Sequence, residues 1–402
     1  MMPDLPFFSP DLTGAEQDAV AAVLRSGWLT TGPVAARFEK ALAAFCGADH
    51  AVCLSSQTMA AELLLRALGI GPGDEVLLPA YTYTATCAAV CHVGAAPVLI
   101  DCAPGEFTMD PSRIEAALTP RTRAVIAVDF AGIPCDYQAL TAIAEAAASR
   151  FSPASPLQEA LGRIAVIADA SHSLGAKRGG VPSGALADFT CFSFHAVKNV
   201  TTAEGGAVVW RDPAGRFPGL ERQLRLLSLH GQTRTALEKE SGGWEYDVLF
   251  PGYKCNMTDL CAALGLAQLA RYPAMLARRR ELIARYDASL APLPVAVCQH
   301  FSAEICSSGH LYPVRLTGFD EAQRNRLFSA MLARGVRCNV HYKPLPLLTA
   351  YRAMGFSIAD FPAAFAMYQN ELTLPLGSAM TGEQVDQVVQ ALTASVLALG
   401  TS

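Results

Sequence analysis

Long apolar runs are missing from this chain, and so are long runs of a single charge. Each apolar stretch meets a charge, Gly or Pro before reaching the ~20 residues that span a bilayer, so no membrane association is expected. Lys and Arg form no extended basic segment and the formal net charge is −5, which leaves no electrostatic footprint for nucleic acid. Residues 1–10 lack the basic and apolar regions of a secretory signal. Paired Cys-x-x-Cys spacing is absent, which argues against a structural zinc site. No Gly-x-Gly-x-x-Gly follows the first strand-like run, which argues against nicotinamide chemistry.

What is present is core-forming sequence. With 402 residues and 51% hydrophobic content, the chain is expected to fold as two or three domains. Its 12 cysteines are scattered, and Cys53, Cys102 and Cys191 fall in apolar runs where Cys acts as a small hydrophobe. They read as reduced core thiols of a cytoplasmic protein. Cys87, Cys91 and His92 share a helix face, but no fourth ligand is near, so no metal is expected.

Short apolar runs at 51–54, 75–79, 96–101, 123–129, 164–169 and 188–194 alternate with helix-length segments. This pattern predicts an α/β fold around a mainly parallel sheet. A further strand at 205–210 follows too closely for a crossover helix and is expected to run antiparallel. Residues 58–68 read as a helix ending before Gly69, and 149–162 as a loop insertion. A long helix over 258–290 is predicted to break at Pro273. Beyond it, strands at 310–316 and 336–341 and helices at 320–334 and 382–399 predict a smaller α/β domain. The division is placed between residues 1–255 and 256–402.

The segment Ser193-Phe-His-Ala-Val-Lys198-Asn is a buried strand running into a polar loop with one lysine. A desolvated amine near cationic groups attacks aldehydes, so Lys198 is a candidate Schiff-base residue. Alone, it reads rather as a surface lysine of a βα loop. The strand Ile164-Ala-Val-Ile-Ala-Asp169 ends in a carboxylate able to hold a protonated pyridine nitrogen, or simply to cap a helix. His172 follows three residues later, where it can meet a ring hydroxyl or serve as an ordinary loop residue. Ser56, Gln57 and Thr58 open the next predicted helix, where hydroxyls and free amides form a phosphate site or plain N-caps. Tyr83 can stack on a flat ring or pack in the core.

These segments together resemble the DegT/StrS sugar aminotransferases of the type I pyridoxal-phosphate fold. The likeness runs from Ser26-Gly-Trp-Leu-Thr-Thr-Gly-Pro33 through Phe192-Ser-Phe-His-Ala-Val-Lys-Asn199 and Pro251-Gly-Tyr-Lys-Cys-Asn-Met-Thr-Asp259 to Val340-His-Tyr-Lys343. Motifs this long and this ordered do not agree by chance. The resemblance implies a large domain with a mainly parallel seven-stranded sheet and a smaller C-terminal domain. Pyridoxal 5′-phosphate would be bound by Lys198 as a Schiff base and by Asp169 at the pyridine nitrogen. His172 would lie at the ring hydroxyl, Tyr83 on the ring, and Ser56, Gln57, Thr58 and Ser193 at the phosphate.

Asn256 matches an asparagine that reaches the phosphate from a partner subunit, implying a homodimer. Thr31, His310 and His341 match positions near the sugar. Glutamate and a nucleotide-linked 4-keto-6-deoxy sugar are the implied substrates, in surface-glycan or amino-sugar biosynthesis. Ala168 and Gln57 depart from the common Glu and Gly, and neither change removes a catalytic group. Asp169-Ala-Ser-His, Thr201-Thr-Ala-Glu-Gly-Gly and Val340-His-Tyr-Lys-Pro are most similar to the transaminase of pseudaminic acid biosynthesis. The rival readings are a sugar dehydratase on the same scaffold, which replaces the lysine by histidine, and a non-catalytic regulator, which would have lost the lysine or the aspartate.

Overall fold

The computed structural model describes residues 4–240 and 242–400. Met1, Met2 and Pro3 of the opening segment lie outside them. Seven strands form the central sheet: β1 His50–Leu54, β2 Glu75–Pro79, β3 Ala96–Ile100, β4 Thr122–Val128, β5 Ala165–Asp169, β6 Phe189–Ser193 and β7 Gly206–Trp210. Their order is β1-β7-β6-β5-β4-β2-β3. Strand β7 runs antiparallel to both of its neighbours, and the other pairs are parallel. The expected antiparallel neighbour is therefore present. The interior strands are almost wholly buried, as a sheet covered on both faces requires.

Two apolar cores cover the two faces of this sheet. One includes α3 Gln57–Ala67 and α4 Thr84–His92, and the other α2 Pro33–Cys46; α1 Gly14–Ser26 precedes them in the chain. A third core lies in the C-terminal part, under the antiparallel sheet of β8 Val295–Val297, β9 Tyr312–Leu316 and β10 Glu371–Leu374. Cys53, Cys102 and Cys191 are buried as expected.

Three local expectations are corrected. Helix α5, Asp259–Leu290, continues through Pro273 without a break. An interior proline costs ~3 kcal/mol or more, but Tyr272, Met275, Leu282, Ile283 and Tyr286 are buried along the same helix and offset it. Residues 149–162 are not a bare loop, since Pro156–Leu161 is helical. Ser155 caps it by accepting from Gln158 N–H, and Gly162 ends it with φ 69. Residues 336–341 make only single bridges, Leu5 with Val336 and Asn339 with Thr373, rather than a strand. The His341 N–H is taken by the Glu371 carboxylate, which a continuing strand would have paired with backbone.

Helix α5 is also long and apolar enough, by length and composition, to cross a bilayer, contrary to the expectation that no stretch would be. In the fold it packs against α1 and α2. Helices α6 Glu321–Ala333 and α7 Gly382–Gly400 complete the C-terminal part.

Candidate active site

Parallel strands deliver their carboxyl ends to one edge of a sheet, and the loops leaving that edge bring the polar side chains together. A cavity of about 550 Å³ opens there. Ser56, Gln57 and Thr58, just beyond β1, line one side, with Tyr83 from the loop after β2. Ser193 and Lys198 come from the end of β6, and His310 and His341 from the C-terminal part.

Lys198 sits in a tight turn, its N–H donating to the His195 carbonyl at 2.9 Å. Burial draws its ammonium down from 10.5 to about 8, and Asp169 pulls it partly back up. At pH 7 roughly one molecule in ten then carries the free amine, far more than an exposed lysine offers.

Asp169, at the end of β5, is 5% exposed. An unpartnered carboxylate there would be costly. Its Oδ2 accepts from Thr86 Oγ1 at 2.7 Å, and its Oδ1 from Ser171 Oγ at 2.6 Å and Ser171 N–H at 3.2 Å. These bonds fix the carboxylate while leaving it room for one further donor.

His172 is buried, and its Nε2 lies 2.9 Å from the Tyr342 hydroxyl. With the phenol donating, the ring proton falls on Nδ1, a buried atom with no partner in the protein. Burial, then Lys198 and His341, hold His172 well below its usual pKa, so it is neutral. The His310 ring packs on His172 at 4.3 Å. Its Nδ1 lies 2.9 Å from Asn199 Oδ1, while Asn199 Nδ2 donates to the Tyr272 hydroxyl and the Ser308 carbonyl. Sequence reasoning passed over Tyr342, Thr86 and Ser171. Tyr342 lay inside a motif already singled out, yet an aromatic there reads as packing.

The start of α3 presents free amides that can meet an anion. Ser56 caps the helix by accepting from Met59 N–H at 3.1 Å. The Gln57 and Thr58 amides precede the first intrahelical bond, from Ala60 to the Ser56 carbonyl. Gly206 keeps this terminus open, because a Cβ there would stand 2.3 Å from Gln57 N.

Four candidates do not line the cavity: Asp169 and His172 are buried behind its wall, bonded to the lining residues Ser171 and Tyr342, and Asn256 and Thr31 lie apart from it. Asn256 donates from Nδ2 to Thr31 Oγ1 at 2.5 Å, Thr31 donates to the Met257 carbonyl, and neither residue lines the cavity. Asp259 organises this corner by accepting from the N–H groups of Gly32, Val34 and Ala35. Among the described residues, no group of three or more His, Cys, Asp and Glu side chains is placed to hold a metal, Cys87, Cys91 and His92 included.

An amine of lowered pKa, a fixed carboxylate whose charge it feels and a helix terminus open to an anion form one donor set. A model of the DegT/DnrJ/EryC1/StrS aminotransferase family matches residues 10–393. The chain belongs to the DegT/DnrJ/EryC1/StrS aminotransferase family. It is 37% identical over 396 residues to the spore coat polysaccharide biosynthesis protein SpsC of Bacillus subtilis, covering 96% of each chain. Spr1654 of Streptococcus pneumoniae, described as a sugar aminotransferase and solved in its PLP form, superposes with a TM-score of 0.95 at 44% identity, over 98% of this chain and 99% of that one. PseC of Helicobacter pylori, an aminotransferase of pseudaminic acid biosynthesis, matches with a TM-score of 0.87 at 25% identity, over 98% of this chain and 100% of that one.

The protein is thus a pyridoxal-phosphate-dependent aminotransferase, with the fold and length of sugar aminotransferases. Its own residues fit that cofactor. The unpartnered His172 Nδ1 and the helix terminus kept open by Gly206 are features a phosphorylated, hydroxylated pyridine would complete. PseC is lower in identity than Spr1654 and SpsC.

Proposed function

We propose that this enzyme transfers the amino group of glutamate to a nucleotide-linked 4-keto-6-deoxy sugar, in the cytoplasm, for surface-glycan or amino-sugar biosynthesis. The observation that carries the reading is Lys198, a buried amine of lowered pKa that feels the Asp169 charge and lines a cavity together with His310 and His341. Sugar-acting relatives matched over almost the whole chain support the acceptor class. Twelve free cysteines, most of them buried, support a reducing compartment.

Pyridoxal phosphate supplies an electron sink that stabilises negative charge on the carbon next to the transferred nitrogen. Lys198 is the amine that would hold it, and Nζ would be the group that gives a proton to that carbon and takes one from it. Asp169, its oxygens fixed by Thr86 and Ser171, would keep the pyridine nitrogen protonated. His172 Nδ1 would donate to the ring hydroxyl, Tyr83 would cover the ring, and Ser56, Gln57, Thr58 and Ser193 would take the phosphate. His310 and His341 face the sugar.

The site is completed in a homodimer, with Asn256 and Thr31 serving the partner's cavity. Trp244 is 80% exposed, and Tyr246, Val248, Leu249 and Tyr253 are exposed beside it, just before Asn256 in the chain. Such a patch favours burial against a second copy. The test is to mix holoenzyme with glutamate and a panel of nucleotide-linked keto sugars. Glutamate should bleach the visible absorbance, and a 4-keto-6-deoxy acceptor should restore it with ping-pong kinetics. Turnover of simple keto acids alone would replace this reading with a general amino-acid aminotransferase. Loss of a sugar hydroxyl without amination would replace it with a dehydratase.

A further inference from the structure

One buried carboxyl near the cavity has no part in holding the cofactor. Glu371, on β10, is fully buried. Its Oε2 accepts from the His341 N–H at 2.9 Å, and its Oε1 is bonded to the Thr373 hydroxyl. Thr373 Oγ1 in turn lies 2.9 Å from His341 Nδ1. The three side chains make a line from the interior to His341, which lines the cavity.

A hydroxyl has one proton to give, and this makes the line directional. With Glu371 ionised, Thr373 donates to it and must accept from His341 Nδ1–H, so Nε2 offers a lone pair. With Glu371 protonated, its proton goes to Thr373, Thr373 donates to Nδ1, and Nε2 bears hydrogen. The first arrangement agrees with Asn339. Its Oδ1 accepts from Val340 N–H at 2.8 Å, which turns Nδ2, a donor, toward His341 Nε2 at 3.4 Å.

We propose that Glu371, acting through the Thr373 hydroxyl, sets which ring nitrogen of His341 carries the proton, and so whether the sugar meets an acceptor or a donor at Nε2. Passage between the two states balances as a relay. A proton taken up at Nε2 releases the Nδ1 proton to Thr373, whose own proton passes to Glu371. In the ionised state the site accepts from a hydroxyl or N–H of the substrate; in the protonated state it donates to an oxygen.

The groups facing Glu371 leave both states within reach. Burial raises its pKa to about 8, against the opposing pull of Thr373, the His341 N–H and the Arg324 guanidinium of α6. Tyr81, Tyr342, Cys298 and Cys338 also face it, and burial keeps each of them neutral. Burial, aided by Lys198, keeps His341 itself neutral by lowering its pKa to about 3. His341 therefore changes tautomer rather than charge.

The role of Nε2 toward the sugar rests on the reading of His341 given above, whereas the tautomer does not. Two measurements on the holoenzyme separate them. Long-range proton–nitrogen spectra of histidine-labelled protein, with His341 assigned from its loss in His341→Gln, report which nitrogen is protonated. Glu371→Gln must present its amide oxygen to the His341 N–H and its NH₂ to Thr373, so it should lock Nε2–H. Wild type should move from Nε2–H to Nδ1–H as pH rises through about 8. Thr373→Val, close in shape, should uncouple the tautomer from pH, and Thr373→Ser should restore the coupling. An identical His341 tautomer in wild type and Glu371→Gln across this range would overturn the proposal.

The second measurement is the KM for the nucleotide keto sugar. At high pH it should rise roughly tenfold in Glu371→Gln, the size of one mismatched hydrogen bond, and by more than any fall in kcat. If the tautomer follows Glu371 but His341→Gln leaves the acceptor KM unchanged, the relay stands and the sugar contact falls.

Discussion

The Tyr342 hydroxyl lies 2.9 Å from His172 Nε2, and this contact leaves Nδ1 as the ring nitrogen with no partner in the protein. Tyr342→Phe removes the donor and leaves His172 free to adopt the other tautomer. Cofactor affinity should fall about five- to tenfold, the usual worth of one hydrogen bond. Titration of the apoenzyme with pyridoxal phosphate, followed by absorbance, reads this directly. Unchanged affinity would show that His172 does not touch the ring.

Lys198 is a stability cost to the apoenzyme as well as its reactive group. Its folded pKa of about 8 lies below the 10.5 of an exposed lysine. Between these values the unfolded chain holds a proton that the folded chain has lost, so stability rises with pH across this window. Below about pH 8 the full cost applies, on the order of 3 kcal/mol from the shift. Apo Lys198→Met should therefore melt above the wild-type apoenzyme at pH 7, with the gap closing toward pH 10.5. The variant should also lose the visible absorbance of the bound cofactor and all transamination. A gap independent of pH would mean that Lys198 is not buried as the structure has it.

Asp169→Asn keeps the shape of the side chain but removes the charge, and its NH₂ must face at least one of the Thr86 and Ser171 donors. Folding should lose about 1–2 kcal/mol from that mismatch. Turnover should fall by at least about a hundredfold, because an uncharged amide no longer favours the pyridinium form. Calorimetry and steady-state kinetics separate the two effects. Near-normal kcat would move the role to another group.

The sheet was legible because its strands are continuous apolar runs, and β5 ending at Asp169 and β6 leading to Lys198 could be placed from that alone. The helix at 156–161 carried its own signals in Ser155, Pro156 and Gly162, which the density of turn residues masked. Glu371 and Thr373 were passed over for a different reason. Alternating with Leu372 and Leu374, they have the period of a strand with one solvated face, yet all four residues are buried. Their polar face turns toward His341, and a tertiary neighbour 30 residues away in sequence is invisible to local pattern. Thr86, whose partner Asp169 is 83 residues away, was missed for the same reason.

Asn256 offers the sharpest test of the assembly. Within its own chain it is tied to Thr31 and does not line the cavity, which fits a residue that serves the neighbouring site. Homodimers of Lys198→Ala lack the amine in both sites, and homodimers of Asn256→Ala lack the phosphate contact in both. In a hybrid, one site combines the two defects, and the other has an intact lysine from one subunit and an intact asparagine from its partner. Random exchange of equal amounts makes half of the dimers hybrids with one good site each, so about one quarter of wild-type activity should return. If Asn256 acts within its own chain, every hybrid site carries a defect and mixing restores nothing. The same preparations should sediment as dimers, and an active monomer would contradict the shared site.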